Sequence, residues 1–143
     1  MNIIDMNTNI ADTLISLETA KLAAEKGFDI KVQDSYNLYF HNDKGPFYRL
    51  EPNLQYPKQN HNQFSDSQFS APTQSLLQKW LRDECNLFVY VIPRFDGFDH
   101  AQYFCNYEIY YPGDVESRDI EGDGSYTYEE ALEKGLQEAL KQI

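Results

Sequence analysis

Positive charge is what this sequence has least of. Lys and Arg number 12 against 23 Asp and Glu, a formal net charge of −11 and a pI of about 4.5. Such a surface repels phosphate backbones, so nucleic-acid binding is disfavoured. Cysteine is scarce too, with only Cys85 and Cys105. Two thiols hold no C-x-x-C pair and build no disulfide framework; they read as small packed hydrophobes in a reducing, cytoplasmic compartment. A disulfide between them is the alternative, open only if their Cα atoms come within about 7 Å. No apolar run is long enough to cross a bilayer, which leaves no membrane partner to expect. Residues 1–9 lack a basic start, and Asp5 breaks them before an apolar run builds, so no secretory signal is expected. Missing as well are a phosphate-cradling Gly-rich loop and a G-x-S-x-G elbow. Carboxylates are plentiful, but none stands out as an acid/base pair.

What is present favours a folded protein. Of 143 residues, 41% are hydrophobic and 15% aromatic, with 11 Tyr and 9 Phe, a composition suited to much sheet. The length fits one domain, residues 1–143, able to bury a sizeable core. Acid is concentrated at one end. From Glu108 onward, ten acids face only Arg118, Lys134 and Lys141, and ten less three leaves −7 of the −11 there.

The chain is organised around SAPTQSLLQKWLRDE, residues 70–84, an amphipathic helix carrying the single Trp. Ser70 is the expected N-cap, with Pro72 in the first turn. Leu76, Leu77, Trp80 and Leu81 form its apolar stripe; Gln74, Gln78, Lys79 and Arg82 lie off it. Before it, residues 1–15 form a weakly ordered leader, and residues 16–26 a helix that Gly27 ends. The aromatic runs 36–40 and 47–50 flank the turn Asn42-Asp43-Lys44-Gly45, a hairpin signal. Residues 53–69 are polar and aperiodic, a long surface loop. Residues 87–92 are apolar on both alternating faces and predict a strand covered on both sides. A turn at 96–99 leads to a strand from Tyr103 to Tyr111. The last helix opens on a capping box, Thr127 with Glu130, and presents Ala131, Leu132, Leu136, Ala139 and Leu140. The order α-ββ-α-ββ-α predicts an α+β fold: an antiparallel sheet with helices packed mainly on one face. A duplicated αββ unit is conceivable, though no residue-level repeat accompanies it.

Residues 70–84, the aromatic strand pair after them and the terminal TYEEALEKGLQEAL helix together resemble a group of small uncharacterised proteins encoded in phages and prophages of gut bacteria. The resemblance runs over about residues 16–143 as an order of elements and is specific in the two helices. It implies an intracellular accessory protein of a mobile element, with an unknown host or phage protein as partner. It carries no catalytic residues onto this chain.

Three patterns invite chemistry. Residues 119–130 look like a twelve-residue EF-hand calcium loop: Asp119, Glu121 and Asp123 at positions 1, 3 and 5, Gly124 at the sharp turn and Glu130 at the bidentate twelfth position. Against this, position 3 is Glu, position 8 is Tyr, and no helix enters the loop. The alternative is an acidic turn before a capped helix, where acids are favoured anyway. His100 with Asp96, Asp99 and Cys105 is the only set from which a small enzyme could be drawn. Metal and nucleophile sites need more converging groups, and His41 and His61 read as solvated loop residues. The tyrosines could stack on bases or sugars, yet they also serve as strand formers with polar tips. The expected function is therefore a non-enzymatic, acidic protein–protein interaction module without a cofactor. A calcium-stabilised domain and a small His100/Cys105 enzyme are the alternatives.

Overall fold

The structure is a computed structural model, and it describes residues 13–52, 58–95, 103–112, 120–121 and 126–143. Helix α1 (Leu17–Glu25) starts at Ser16, whose hydroxyl accepts the Thr19 N–H at 3.3 Å. It ends because Gly27 adopts φ +91°. The N–H groups of Gly27 and Phe28 then return to Ala24 O and Ala23 O at 3.1 and 3.0 Å, closing a Schellman-type stop with Phe28 buried.

Strands β1 (Asp34–His41) and β2 (Gly45–Pro52) form the expected antiparallel hairpin. Residues 42–44 turn the chain, and Gly45, opening β2 opposite His41, takes φ +76°, a left-handed conformation that glycine adopts without a Cβ penalty. A 3-10 helix (His61–Ser67) and the short β3 (Gln68–Ser70) follow. Part of the predicted polar loop is thus regular structure, since β3 takes the free edge of β1 and pairs Ser70 with Ser35. Residues 53–57 lie outside the described residues.

Helix α2 (Gln74–Cys85) is capped by Thr73, not by Ser70. Thr73 accepts the Leu76 N–H at 3.2 Å, while the Ser70 hydroxyl accepts the His61 N–H at 2.9 Å. Pro72 precedes the helix, and its carbonyl accepts the Ile15 N–H at 3.0 Å. Asn86, at φ +56°, ends α2 in the left-handed conformation that Asn tolerates best after Gly. Strands β4 (Phe88–Phe95), β5 (Tyr103–Tyr110) and β6 (Ile120–Glu121) come next, then α3 (Tyr128–Lys141), which Thr127 caps as predicted.

The described strands form two three-stranded antiparallel sheets, ordered β2-β1-β3 and β4-β5-β6, instead of one. In the first the earliest strand is central and in the second the middle one, so the two αββ units are not topological copies. Helix α3 covers the second sheet on the face carrying Val89, Val91, Tyr107 and Ile109. Residues 87–92 are not sealed on both sides. Phe88, Tyr90 and Tyr110 remain 38% exposed on the opposite face, with the Tyr90 hydroxyl donating to Glu108 at 2.8 Å. An aromatic ring with a wet tip satisfies such a face without a second cover.

The core joins all three helices to this sheet. Leu77, Trp80 and Leu81 of α2 meet Leu132, Leu136 and Leu140 of α3, with Ala20, Ala23 and Phe28 from the α1 side. Phe28 and Trp80 pack edge to face at 5.5 Å between ring centres. Ile15 is fully buried, which ties the end of the predicted leader into the core; residues 1–12 lie outside the described residues.

Candidate functional site

The strongest candidate is a groove of about 700 Å³ along the solvent face of α2. One wall is the helix, from the Thr73 cap through Ser75, Leu76, Gln78, Lys79 and Arg82. The other is a strap at residues 31–34 with Lys58 beside it. That strap is built by an isolated antiparallel bridge, in which Val32 and Gln59 exchange both backbone hydrogen bonds at 3.0 and 3.2 Å. Antiparallel pairing places Lys58 opposite Gln33. Side chains alternate along a strand, so Lys31, Gln33 and Lys58 share one face.

His61 holds the strap from behind. It is 1% exposed, and its Nε2 lies 3.0 Å from the Val32 carbonyl. A carbonyl only accepts, so Nε2 carries the proton. Nδ1 is then left as a buried acceptor with no partner among the described residues. Asn62, next to it, donates to Phe28 O at 2.8 Å and accepts the Ser70 N–H at 2.8 Å. His61 is thus no solvated loop residue but a buried staple.

The groove inverts the charge of the chain. Lys31, Lys58, Lys79 and Arg82 are four of only 12 bases, gathered around one hollow with Asp34 as the sole carboxylate among its lining residues. Asp83 stands at the rim, bonded to Lys79 at 2.8 Å and Arg82 at 3.2 Å. The Lys79 ammonium, with Arg82 second, holds the Asp83 carboxyl below the usual carboxylate range. Both pairs are exposed, and such pairs exchange partners at little cost. Lys31 and Lys58 have no ion pair among the described residues. Between the cations lie Leu14 and Leu76, each partly exposed, with Val32, Ala71 and Pro72 buried beneath. The volume lies within the range of about 300–1,000 Å³ usual for ligand pockets.

A second polar cluster lies on the open face of the first sheet. Gln68 donates to Asn37 at 2.6 Å, Asn37 to Glu51 at 3.3 Å, and the Tyr39 hydroxyl to the same Glu51 oxygen. The Tyr39 hydroxyl is the main reason the Glu51 carboxyl is held below its ordinary value, with Asn37 helping. Beside it Tyr39 and Phe47 stack at 5.9 Å with the Arg49 guanidinium over both rings. The hollow here is about 260 Å³, and its side chains satisfy one another.

The residues singled out from sequence fare differently. Asp119 and Asp123 lie outside the described residues, Glu121 is described in its backbone alone as part of β6, and Glu130 is exposed in the first turn of α3. Among the described residues no group of three or more His, Cys, Asp and Glu is placed to hold a metal ion. His100, Asp96 and Asp99 also lie outside the described residues. Cys105 is 6% exposed and bridges Tyr126 through two backbone hydrogen bonds, 2.9 and 3.1 Å. It borders a hollow whose other described lining residues are Phe104 and residues 126–130. Both cysteines are free thiols; burial, with Glu84 adding to it, pushes the Cys85 thiol up.

Sequence reasoning set Lys79 and Arg82 aside as the solvated face of α2 and did not single out Lys31 or Lys58. Those two stand 27 positions apart and become neighbours only through the Val32–Gln59 bridge, which leaves no local pattern. No described helix is long and apolar enough to cross a membrane. The chain matches no protein-family model, no curated protein and no solved structure, so its geometry stands alone.

Proposed function

We propose that this chain is a non-enzymatic interaction module that takes a segment of a partner protein into the groove beside α2. The observation carrying the reading is the gathering of Lys31, Lys58, Lys79 and Arg82 around one apolar-floored hollow in a chain of net charge −11. Among the described residues the lining offers charge, amides, hydroxyls and apolar area, but no histidine, no thiol and only one carboxylate. Those groups suit recognition, whereas acid–base or nucleophilic chemistry needs a paired set. The resemblance to phage-encoded proteins supports the setting, an accessory protein of a mobile element inside its host, and that part rests on the resemblance alone.

The test is site-specific photo-crosslinking in the expressing cell. A benzoylphenylalanine placed at Ser75, exposed in the groove, should crosslink to a discrete protein, and one at Tyr128, 54% exposed on α3, should not. Equal crosslinking from both positions, or none from Ser75, contradicts the proposal.

A further inference from the structure

Resting on that reading of the groove, we infer the class of its occupant: an extended, unmodified acidic segment with Asp or Glu at both odd and even positions and apolar residues between them. Three features of the lining converge on this chemistry. First, cations stand on both walls, Lys79 and Arg82 on α2 and Lys31 and Lys58 on the strap side. An extended chain throws successive side chains to opposite sides and therefore meets both walls. Second, Leu14 and Leu76, each partly exposed, give the hollow an apolar part that a fully charged ligand would leave unused. Burying apolar side chains there supplies affinity, while the surrounding cations select the sign of the flanking residues.

Third, the groove suits nucleic acid poorly. Among the described residues no aromatic side chain lines it to stack on bases, and the chain as a whole is strongly acidic. A carboxylate segment pays less for that background than a phosphate backbone, because its own charge density is lower and exposed charges beyond about 8 Å are screened at physiological salt. Gln33 has no hydrogen-bond partner among the described residues and can meet the backbone of an extended guest.

Fluorescence anisotropy with defined probes decides it. The probes are short fluorescein-labelled peptides of the repeat Glu-Glu-Leu, of Lys-Lys-Leu and of phosphoserine-phosphoserine-Leu, with an oligothymidylate as the nucleic acid. The Glu/Leu peptide is expected to bind tightest and to weaken as salt rises. Reversing Lys31→Glu with Lys58→Glu should lower its affinity about tenfold, since two attractions become repulsions. Lys44→Glu with Lys134→Glu, exposed outside the groove, should leave it unchanged. Both groove lysines are exposed, so folding is preserved, and the salt dependence needs no variant. Tighter binding of the phosphoserine peptide or the oligonucleotide overturns the inference. So does equal binding of the Lys/Leu peptide, or a Glu/Leu affinity indifferent to the Lys31 and Lys58 reversal. A Ser75 crosslink combined with any of these results would leave the groove a docking site and refute only the acidic occupant.

Discussion

Glu133 caps a helix to which it does not belong. One of its carboxylate oxygens accepts the backbone N–H of Ser16, the N-cap of α1, at 2.5 Å, and the Thr19 hydroxyl at 2.9 Å. In a local capping box the acid sits three residues after the cap; here that position is Thr19, and the acid arrives from α3. The other oxygen accepts from Gln74 Nε2 at 3.2 Å, in the first turn of α2. A single carboxylate therefore ties the starts of α1 and α2 to the middle of α3. Replacing it by Ala takes the acceptor from the Ser16 N–H and one of two partners from the Gln74 amide, which keeps Glu129 O at 2.9 Å, and leaves the Thr19 hydroxyl only Ser16 Oγ at 3.0 Å. Glu133→Ala should cost about 2–3 kcal/mol, and Glu133→Gln about 1 kcal/mol, because its amide nitrogen opposes a donor. Urea unfolding of the two variants measures the difference.

Gly135 marks the closest approach of α3 to the second sheet. A Cβ there would lie 2.8 Å from Val89 Cγ1 and 3.0 Å from Tyr107 Cβ. In an exposed helix Gly→Ala gains about 1 kcal/mol of propensity. Here overpacking of about 1–3 kcal/mol opposes it, so Gly135→Ala should destabilise the fold. Adding Val89→Ala should restore part of the loss, a non-additivity that a double-mutant cycle reads directly.

These residues show where the sequence was legible. The Thr127 cap, the Gly27 stop and the Gly45 turn follow from chemistry within four residues, and all stand as expected. The choice between Ser70 and Thr73 as the α2 cap is different. Both hydroxyls suit the role, and the outcome turns on β3, which draws Ser70 into pairing with Ser35. Glu133, His61 and the two groove lysines gain their roles from partners 27 to 117 positions away, a distance at which no periodicity operates. The division into two sheets belongs with them, since it depends on which strand edge β3 and β6 reach.

His61 links stability to the groove. Its Nε2 bond to Val32 O fixes the strap that carries Lys31, and its ring is fully buried. His61→Ala removes a buried ring and one of the two hydrogen bonds to that carbonyl, which keeps the Gln59 N–H at 3.2 Å, a loss of about 2–4 kcal/mol. Acidic-peptide affinity should fall as well at temperatures where the variant is still folded, because the strap loosens. Melting curves and anisotropy on the same sample check both effects.

Tyr36 gives a pH dependence of known sign. Its hydroxyl donates to Ile15 O at 2.7 Å, and burial, with the charge of Glu133 second, raises its pKa above the ordinary 10.0. The folded state holds this proton more tightly than the unfolded chain does. The contribution is therefore complete below pH 10.0 and is lost as the pH rises through the folded value. Tyr36→Phe should cost about 1 kcal/mol at neutral pH and make the alkaline fall in stability shallower. Urea titrations at neutral and alkaline pH, compared with the parent chain, show both.

An NMR titration with the Glu/Leu peptide probes the groove residue by residue. Amide shifts are expected at 31–33, at Lys58 and along 75–82, with the stacked pair Tyr39 and Phe47 and the open sheet face of Phe88 and Tyr110 unmoved. Shifts confined to the hairpin or to that open face, with the α2 residues silent, would contradict docking in the groove.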